Sequence, residues 1–154
     1  MSRRSRQSRG VRLEITRRAD LAVRTMRVLG DAPDRLKAHE LAKALCSTPG
    51  FVPQVVGPLV RAGWVRSDPG PSGGYALSVS LDTVSVLDVI EAVDGPTDTG
   101  QCIVAGGACN RDQPCVLHEA WTSARRELTR VLGAMPLSSV VVTGPATQGT
   151  TGKL

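Results

Sequence analysis

Apolar residues recur at helical spacing along residues 13–30, where Leu21, Thr25 and Val28 share one face. Thr16 stands where an N-cap belongs and Gly30 where a helix stops. After a Pro-containing turn over 31–35, the stretch AHELAKAL predicts a short second helix over 38–45 with Leu41, Ala42 and Leu45 inward. CSTPG at 46–50 reads as a turn. A third helix is predicted from about 49 to 62, ended by Gly63. Pro53 and the Gly57-Pro58 pair predict that it is bent or shortened, because each proline removes a backbone donor. Two short strands follow, over 64–67 and 75–79, joined by the glycine-rich turn DPGPSGG. Residues 85–93 read as a fourth helix with Val86, Ile90 and Val93 on one side, stopped by Gly95-Pro96. A cysteine-bearing loop fills about 97–115, and a last long helix covers about 116–132.

The order of elements is that of a winged helix–turn–helix. The expected fold is mainly α with a small β-hairpin wing, followed by a long C-terminal dimerisation helix. On that helix Leu117, Trp121, Ala124, Leu128 and Val131 form a coiled-coil-like seam, spaced four, three, four and three. So narrow a stripe needs a partner helix, and homodimerisation would supply one. Four regions are expected: a disordered basic arm at 1–10, a DNA-binding domain at 11–80, a linker helix, cysteine loop and dimerisation helix at 81–135, and a flexible tail at 136–154.

Composition narrows the class. A chain of 154 residues suits one domain with appendages. Its aromatics are Phe51, Trp64, Tyr75 and Trp121, so the core must be Leu, Val and Ala. No apolar run approaches the length of a membrane span, and the charged N-terminus lacks the apolar segment of a secretory signal. A cytoplasmic location is therefore expected, where clustered cysteines more often bind metal or do redox chemistry than form a disulfide framework. Charge is unevenly placed: residues 1–10 carry a net +4, residues 11–66 a net +5 and residues 67–154 a net −4. A basic front and an acidic back suit a nucleic-acid-binding half joined to a half with another task.

Two constellations carry candidate chemistry. In the third helix, Gln54 could pair with an adenine edge and Arg61 with phosphate. Arg66 at the base of the wing could add a phosphate contact. The expected DNA-facing set also holds Arg12, Thr48, Phe51, Ser72, Gly73, Gly74 and Tyr75. The second constellation is CIVAGGACNRDQPC, in which Cys102, Cys109 and Cys115 are spaced C-x6-C-x5-C and His118 follows as C-x2-H. A loop this poor in apolar bulk needs an organiser: an iron–sulfur cluster, a zinc ion or a disulfide. Gaps of six and five count against a zinc knuckle, whose pairs sit two to four apart. Cys46 reads as a small half-buried residue, His39 as solvent-exposed, and Asp20 as a partner for Arg17 or Arg24. Catalysis is not indicated: there is no C-x-x-C, no Ser/His/Asp grouping and no nucleotide loop, since GPSGGY lies between strands.

RLEITRRADLAVR, HELAKAL, LVRAGWVRSDPGPSGGYAL, SVLDVIEAVDGP and the three spaced cysteines resemble, in this order, the Rrf2 family of bacterial winged-helix regulators. The resemblance covers about residues 11–140. It implies a homodimeric transcription regulator of double-stranded DNA, expected to repress, that senses redox, nitric oxide or iron status. In cluster-binding members the three loop cysteines hold an iron–sulfur cluster, which places Cys102, Cys109 and Cys115 as ligands to a [2Fe–2S] or [4Fe–4S] centre. The fourth ligand in the IscR-like subgroup is a histidine at C-x2-H, which is His118 here. In the NsrR-like subgroup it is an aspartate of the first helix of the other subunit, which is Asp20 here. A regulator with a thiol–disulfide or zinc switch and no iron is the alternative.

Overall fold

The computed structural model describes residues 15–102, 104, 107 and 112–143. The expected arm at 1–10, and Arg12 and Cys109, lie outside them.

The first helix, α1 (Arg17–Asp31), begins where Thr16 predicts. The Thr16 hydroxyl accepts from the Ala19 amide at 3.1 Å and donates to the Asp94 carboxylate at 2.8 and 2.9 Å, tying the start of α1 to the far end of the fourth helix. Leu21, Ala22, Met26 and Leu29 are buried, and the hydroxyl of buried Thr25 is satisfied by the Leu21 carbonyl at 2.7 Å. α2 (Ala38–Ala44) and α3 (Val52–Arg61) pack with α1 through Leu41, Ala42, Val52, Val55, Val56 and Leu59. The third helix is shortened, starting three residues later than expected. Pro53 falls in its first turn, where a missing donor costs nothing, while Pro58 lies buried inside it.

The turn between α2 and α3 corrects one expectation. Cys46 is exposed, not half-buried, and its φ of 49° is left-handed. The Cys46 amide donates to the Lys43 carbonyl at 3.2 Å and the Ser47 amide to the Ala42 carbonyl at 2.9 Å. This is a Schellman helix end, with cysteine in the position glycine usually holds.

The wing is the antiparallel pair β1 (Val65–Asp68) and β2 (Gly74–Leu77), in register Val65↔Leu77 through Asp68↔Gly74. Leu36, between α1 and α2, adds a third edge: it exchanges backbone hydrogen bonds with Tyr75 at 2.8 and 2.9 Å. Two glycines shape the wing, Gly73 in the hairpin turn and Gly74 at the Leu36 edge. A Cβ at Gly73 would collide with the Asp68 carbonyl, and one at Gly74 would sit 2.6 Å from the Leu36 carbonyl.

α4 (Val86–Asp94) starts in a capping box, with the Ser85 amide donating to Asp88 at 2.8 Å and the Asp88 amide to Ser85 at 3.1 Å. Val86, Val89 and Val93 face the core shared with α1 and α3. α5 (His118–Gly133) contains no buried residue. Beyond it the chain returns to α4: the Leu137 amide donates to the Val84 carbonyl at 2.9 Å, and Leu137 is wholly buried. The flexible tail expected from 136 is thus corrected over its first residues, which include a 3-10 turn at Leu137–Ser139.

Candidate nucleic-acid interface and cysteine site

The outward face of α3 carries Pro53, Gln54, Val60 and Arg61, all exposed, with Thr48 exposed in the preceding turn. This face offers few polar groups to a groove: Gln54 for base edges and Arg61 for phosphate. Phe51 is turned the other way, half-buried against the core, as is Tyr75. Gly73 is buried and Gly74 half-buried: Gly73 lets the hairpin turn close on Asp68 and Pro69, and Gly74 lets the wing pack on Leu36. Ser72 is exposed at the wing tip, and Arg66 at its base.

Sequence reasoning missed the groups beside the wing. Arg35 and Lys37 flank Leu36, and with Asp34, Glu40, Ser72 and Gly73 they line an open cleft of about 530 Å³. Arg35 reaches Asp68 on β1 at 3.0 Å, and Arg66 reaches the same carboxylate oxygen at 3.2 Å. Nothing in the local sequence signals this, because the pairing crosses from the α1–α2 connection to the hairpin.

The cysteine loop is anchored to α5 at both ends. Near its start, Arg125 meets Asp98 at 2.6 Å. The Gly100 amide hydrogen-bonded to Asp98, reinforced by the Arg125 guanidinium, holds the Asp98 carboxyl below the ordinary carboxylate range. Slight desolvation works the other way. At its end, the His118 amide donates to the Cys115 carbonyl at 3.0 Å. Between the anchors the chain folds back, with the Cys102 amide bonded to the Gly107 carbonyl at 2.6 Å. Cys102, 8% exposed, is thereby brought beside half-buried Cys115, and its thiol points at the Cys115 sulfur 3.5 Å away.

His118 is exposed on the first turn of α5, in an open cleft of about 460 Å³ with Cys115, Glu119 and Arg126. Asp20 is held by Arg24, whose Nε lies 3.0 Å from one of its oxygens. Among the described residues no set of three Cys, His, Asp or Glu side chains converges, so neither Asp20 nor His118 joins both cysteines within one protomer. The seam expected on α5 is largely uncovered: Leu117, Leu128 and Val131 are 47%, 50% and 41% exposed. Among the described residues the indole Nε1 of half-buried Trp121 and the Nε of Arg125, one turn apart on α5, have no hydrogen-bond partner.

A family model described as Rrf2, an iron-dependent transcriptional regulator, matches residues 15–143. The chain belongs to the Rrf2 family. Rrf2 relatives include the HTH-type transcriptional regulator IscR of Klebsiella pneumoniae, 33% identical over 91 residues that cover 59% of this chain and 55% of that protein. IscR of Escherichia coli matches at 33% over the same length and 56% of its own chain. The chain thus spans little more than half the length of these curated relatives, and 61% of one from Neisseria meningitidis. Among solved structures, CymR, the global cysteine regulator of B. subtilis, superposes with a TM-score of 0.67 at 23% identity, covering 82% of this chain and 95% of that one. IscR of T. potens superposes at 0.61 with 21% identity, covering 82% and 84%. These structural likenesses establish the winged-helix fold common to Rrf2 regulators. Regulators of this kind are not enzymes. Among the described residues no helix is long and apolar enough to cross a membrane.

Proposed function

We propose that this chain is a homodimeric DNA-binding transcription regulator whose affinity for its operator responds to the chemistry of Cys102, Cys109 and Cys115. The observation that carries this reading is the 3.5 Å approach of the Cys102 and Cys115 sulfurs, thirteen residues apart, in a loop with little apolar bulk to hold them there. Two thiolates on one tetrahedral metal atom, each bonded at about 2.3 Å, lie about 3.7 Å apart. The pair therefore fits a metal or iron–sulfur centre. Cys102, Cys109 and Cys115 would hold it, with Asp20 of the partner subunit or His118 as fourth ligand. When bound, such a cluster supplies a group reactive toward oxidants and nitric oxide.

The protein's own part is transmission. The loop is fixed to α5 through Asp98–Arg125 and through Cys115–His118, and α5 packs on α4, which packs on α1 and α3. This line of packed helices is the route by which a change at the cysteines would reach the helix that carries Gln54 and Arg61. The uncovered stripe on α5 supports a second copy of the chain as its cover, which would place two α3 helices on a two-fold operator. A coupling of about 1–3 kcal/mol between loop and operator changes binding roughly five- to a hundredfold.

The same 3.5 Å approach supports a second reading, a thiol–disulfide switch, because a disulfide of about 2.05 Å needs only a small closure. Protein purified without oxygen separates the two. Visible absorption with matched iron and sulfide, lost in Cys109→Ala together with the redox response of DNA binding, supports the cluster. Colourless protein that loses two thiols on oxidation supports the switch. A Cys109→Ala variant that loses the colour yet keeps the redox response of DNA binding would sink the cluster reading.

A further inference from the structure

The wing carries its own counter-anion. Arg35 Nη1 and Arg66 Nε reach the same oxygen of Asp68, at 3.0 and 3.2 Å. Arg66 and Asp68, two apart on β1, share one face of the ribbon, opposite buried Val65. Arg35 arrives from the short edge beside β2, where Leu36 pairs with Tyr75. Asp34 also faces Arg35, but at 3.9 Å and largely in solvent. The three side chains of the clamp keep substantial exposure, 37% for Arg35, 61% for Arg66 and 32% for Asp68. A second anion can therefore reach the two guanidiniums without any rearrangement of the core.

We infer that Asp68 holds Arg35 and Arg66 side by side as a clamp for one phosphate of duplex DNA, while its own charge holds the affinity for that phosphate down. The inference rests on the DNA-binding reading and adds Arg35 and Asp68 to it. The physical argument has two parts. Two long side chains pre-ordered on one oxygen lose less freedom when they bind a phosphate than two free ones would. The carboxylate that orders them lies about 3 Å from both positive groups, so a phosphate that docks there meets a like charge. Asparagine separates the effects: its amide oxygen still accepts from arginine, and the opposing charge is gone.

The test uses the full chain and a duplex enriched from a random library by the wild-type protein, with affinity measured across a salt series. Asp68→Asn is expected to tighten binding about three- to tenfold at low salt and to steepen the salt slope by up to about one. Arg35→Gln is expected to weaken binding and make the slope shallower by a similar amount. In the Arg35→Gln background, at least half of the gain from Asp68→Asn should disappear, because the effects share a partner. Unchanged or weaker binding by Asp68→Asn overturns the inference. So does an equal gain in the Arg35→Gln background, which would mark a diffuse effect of net charge. Arg35→Gln leaves β1 untouched, so if Asp68→Asn misfolds, an unchanged salt slope in Arg35→Gln alone overturns the clamp. Wild-type protein that enriches no duplex would remove the DNA reading and the clamp with it.

Discussion

The two halves of this molecule are built by different means. From Thr16 to Leu77 the chain is held by burial: Leu21, Met26, Leu41, Val55 and Leu59 are essentially inaccessible, and α1, α2 and α3 meet on one core. Among the described residues from 97 to 133, polar anchors and the packing of half-buried Leu132 hold the chain, and α5 contributes no fully buried side chain. The front half buries its apolar face within the chain itself, closing its core on α4. The back half leaves apolar area in water and two sulfurs 3.5 Å apart, which is what the proposed partner helix and thiolate ligand would cover. Where stability is complete the structure can be a rigid reader, and where it is incomplete it can respond.

The sharpest way to break this contrast is one leucine in each half. Leu21→Ala removes a wholly buried side chain and should cost about 2–5 kcal/mol in urea unfolding. Leu128→Asp, at a position 50% exposed, should change the unfolding of the single chain by no more than about 0.5 kcal/mol. Its effect should appear in sedimentation, as a fall from dimer mass to monomer mass. Unchanged mass would mean that the α5 stripe is not the seam, and the back half would then need another explanation for its exposed apolar residues.

A smaller effect sharpens the picture of the front half. Cys46 occupies the left-handed position of the Schellman turn between α2 and α3. That conformation costs a non-glycine residue on the order of 1 kcal/mol, and glycine returns part of it as extra freedom in the unfolded chain. Cys46→Gly should therefore stabilise the protein by up to about 1 kcal/mol, read as a higher urea midpoint at unchanged slope. A lower midpoint would show that the Cys46 side chain makes a contact worth more than the strain.

What could be read from the sequence follows the same division. The helices of the front half are legible through periodicity and caps, because burying one face requires both: Thr16 and Gly63 sit where the chain changes direction. The glycines of the wing are legible as a turn, but the room that Gly74 makes for the Leu36 edge is not. A bridge of one residue has no period to detect. Leu137 was missed for a related reason: one buried side chain in a 3-10 turn leaves no pattern. Phe51 and Tyr75 read as DNA-facing because aromatics suit both a core and a DNA surface, and packing sets both half-buried against the core. The cysteines were legible as a chemical group by their spacing. That Cys102 and Cys115 adjoin, and that Arg125 holds the loop by Asp98, depends on a return of the chain that spacing does not encode.

The smallest effect bears on that anchor. The Asp98 carboxyl sits below its ordinary value of 3.8, mainly through the Gly100 amide and then through Arg125. A carboxyl with a lowered folded value stabilises the fold above its unfolded value, and the contribution is lost as pH falls through the folded one. Asp98 is largely in solvent, so screening keeps the contribution well under about 1 kcal/mol. The expected signature is a difference between proteins. Asp98→Asn should unfold slightly more easily than wild type at neutral pH, and the gap should close once the pH lies below the folded value of Asp98. Because Trp121 stands one turn from Arg125 on α5, its fluorescence should follow the loss of the anchor. A gap that persists in acid would mean that asparagine damages the turn itself. The ion pair would then be a consequence of where the loop lies, and the loop would owe its position to the cysteines alone.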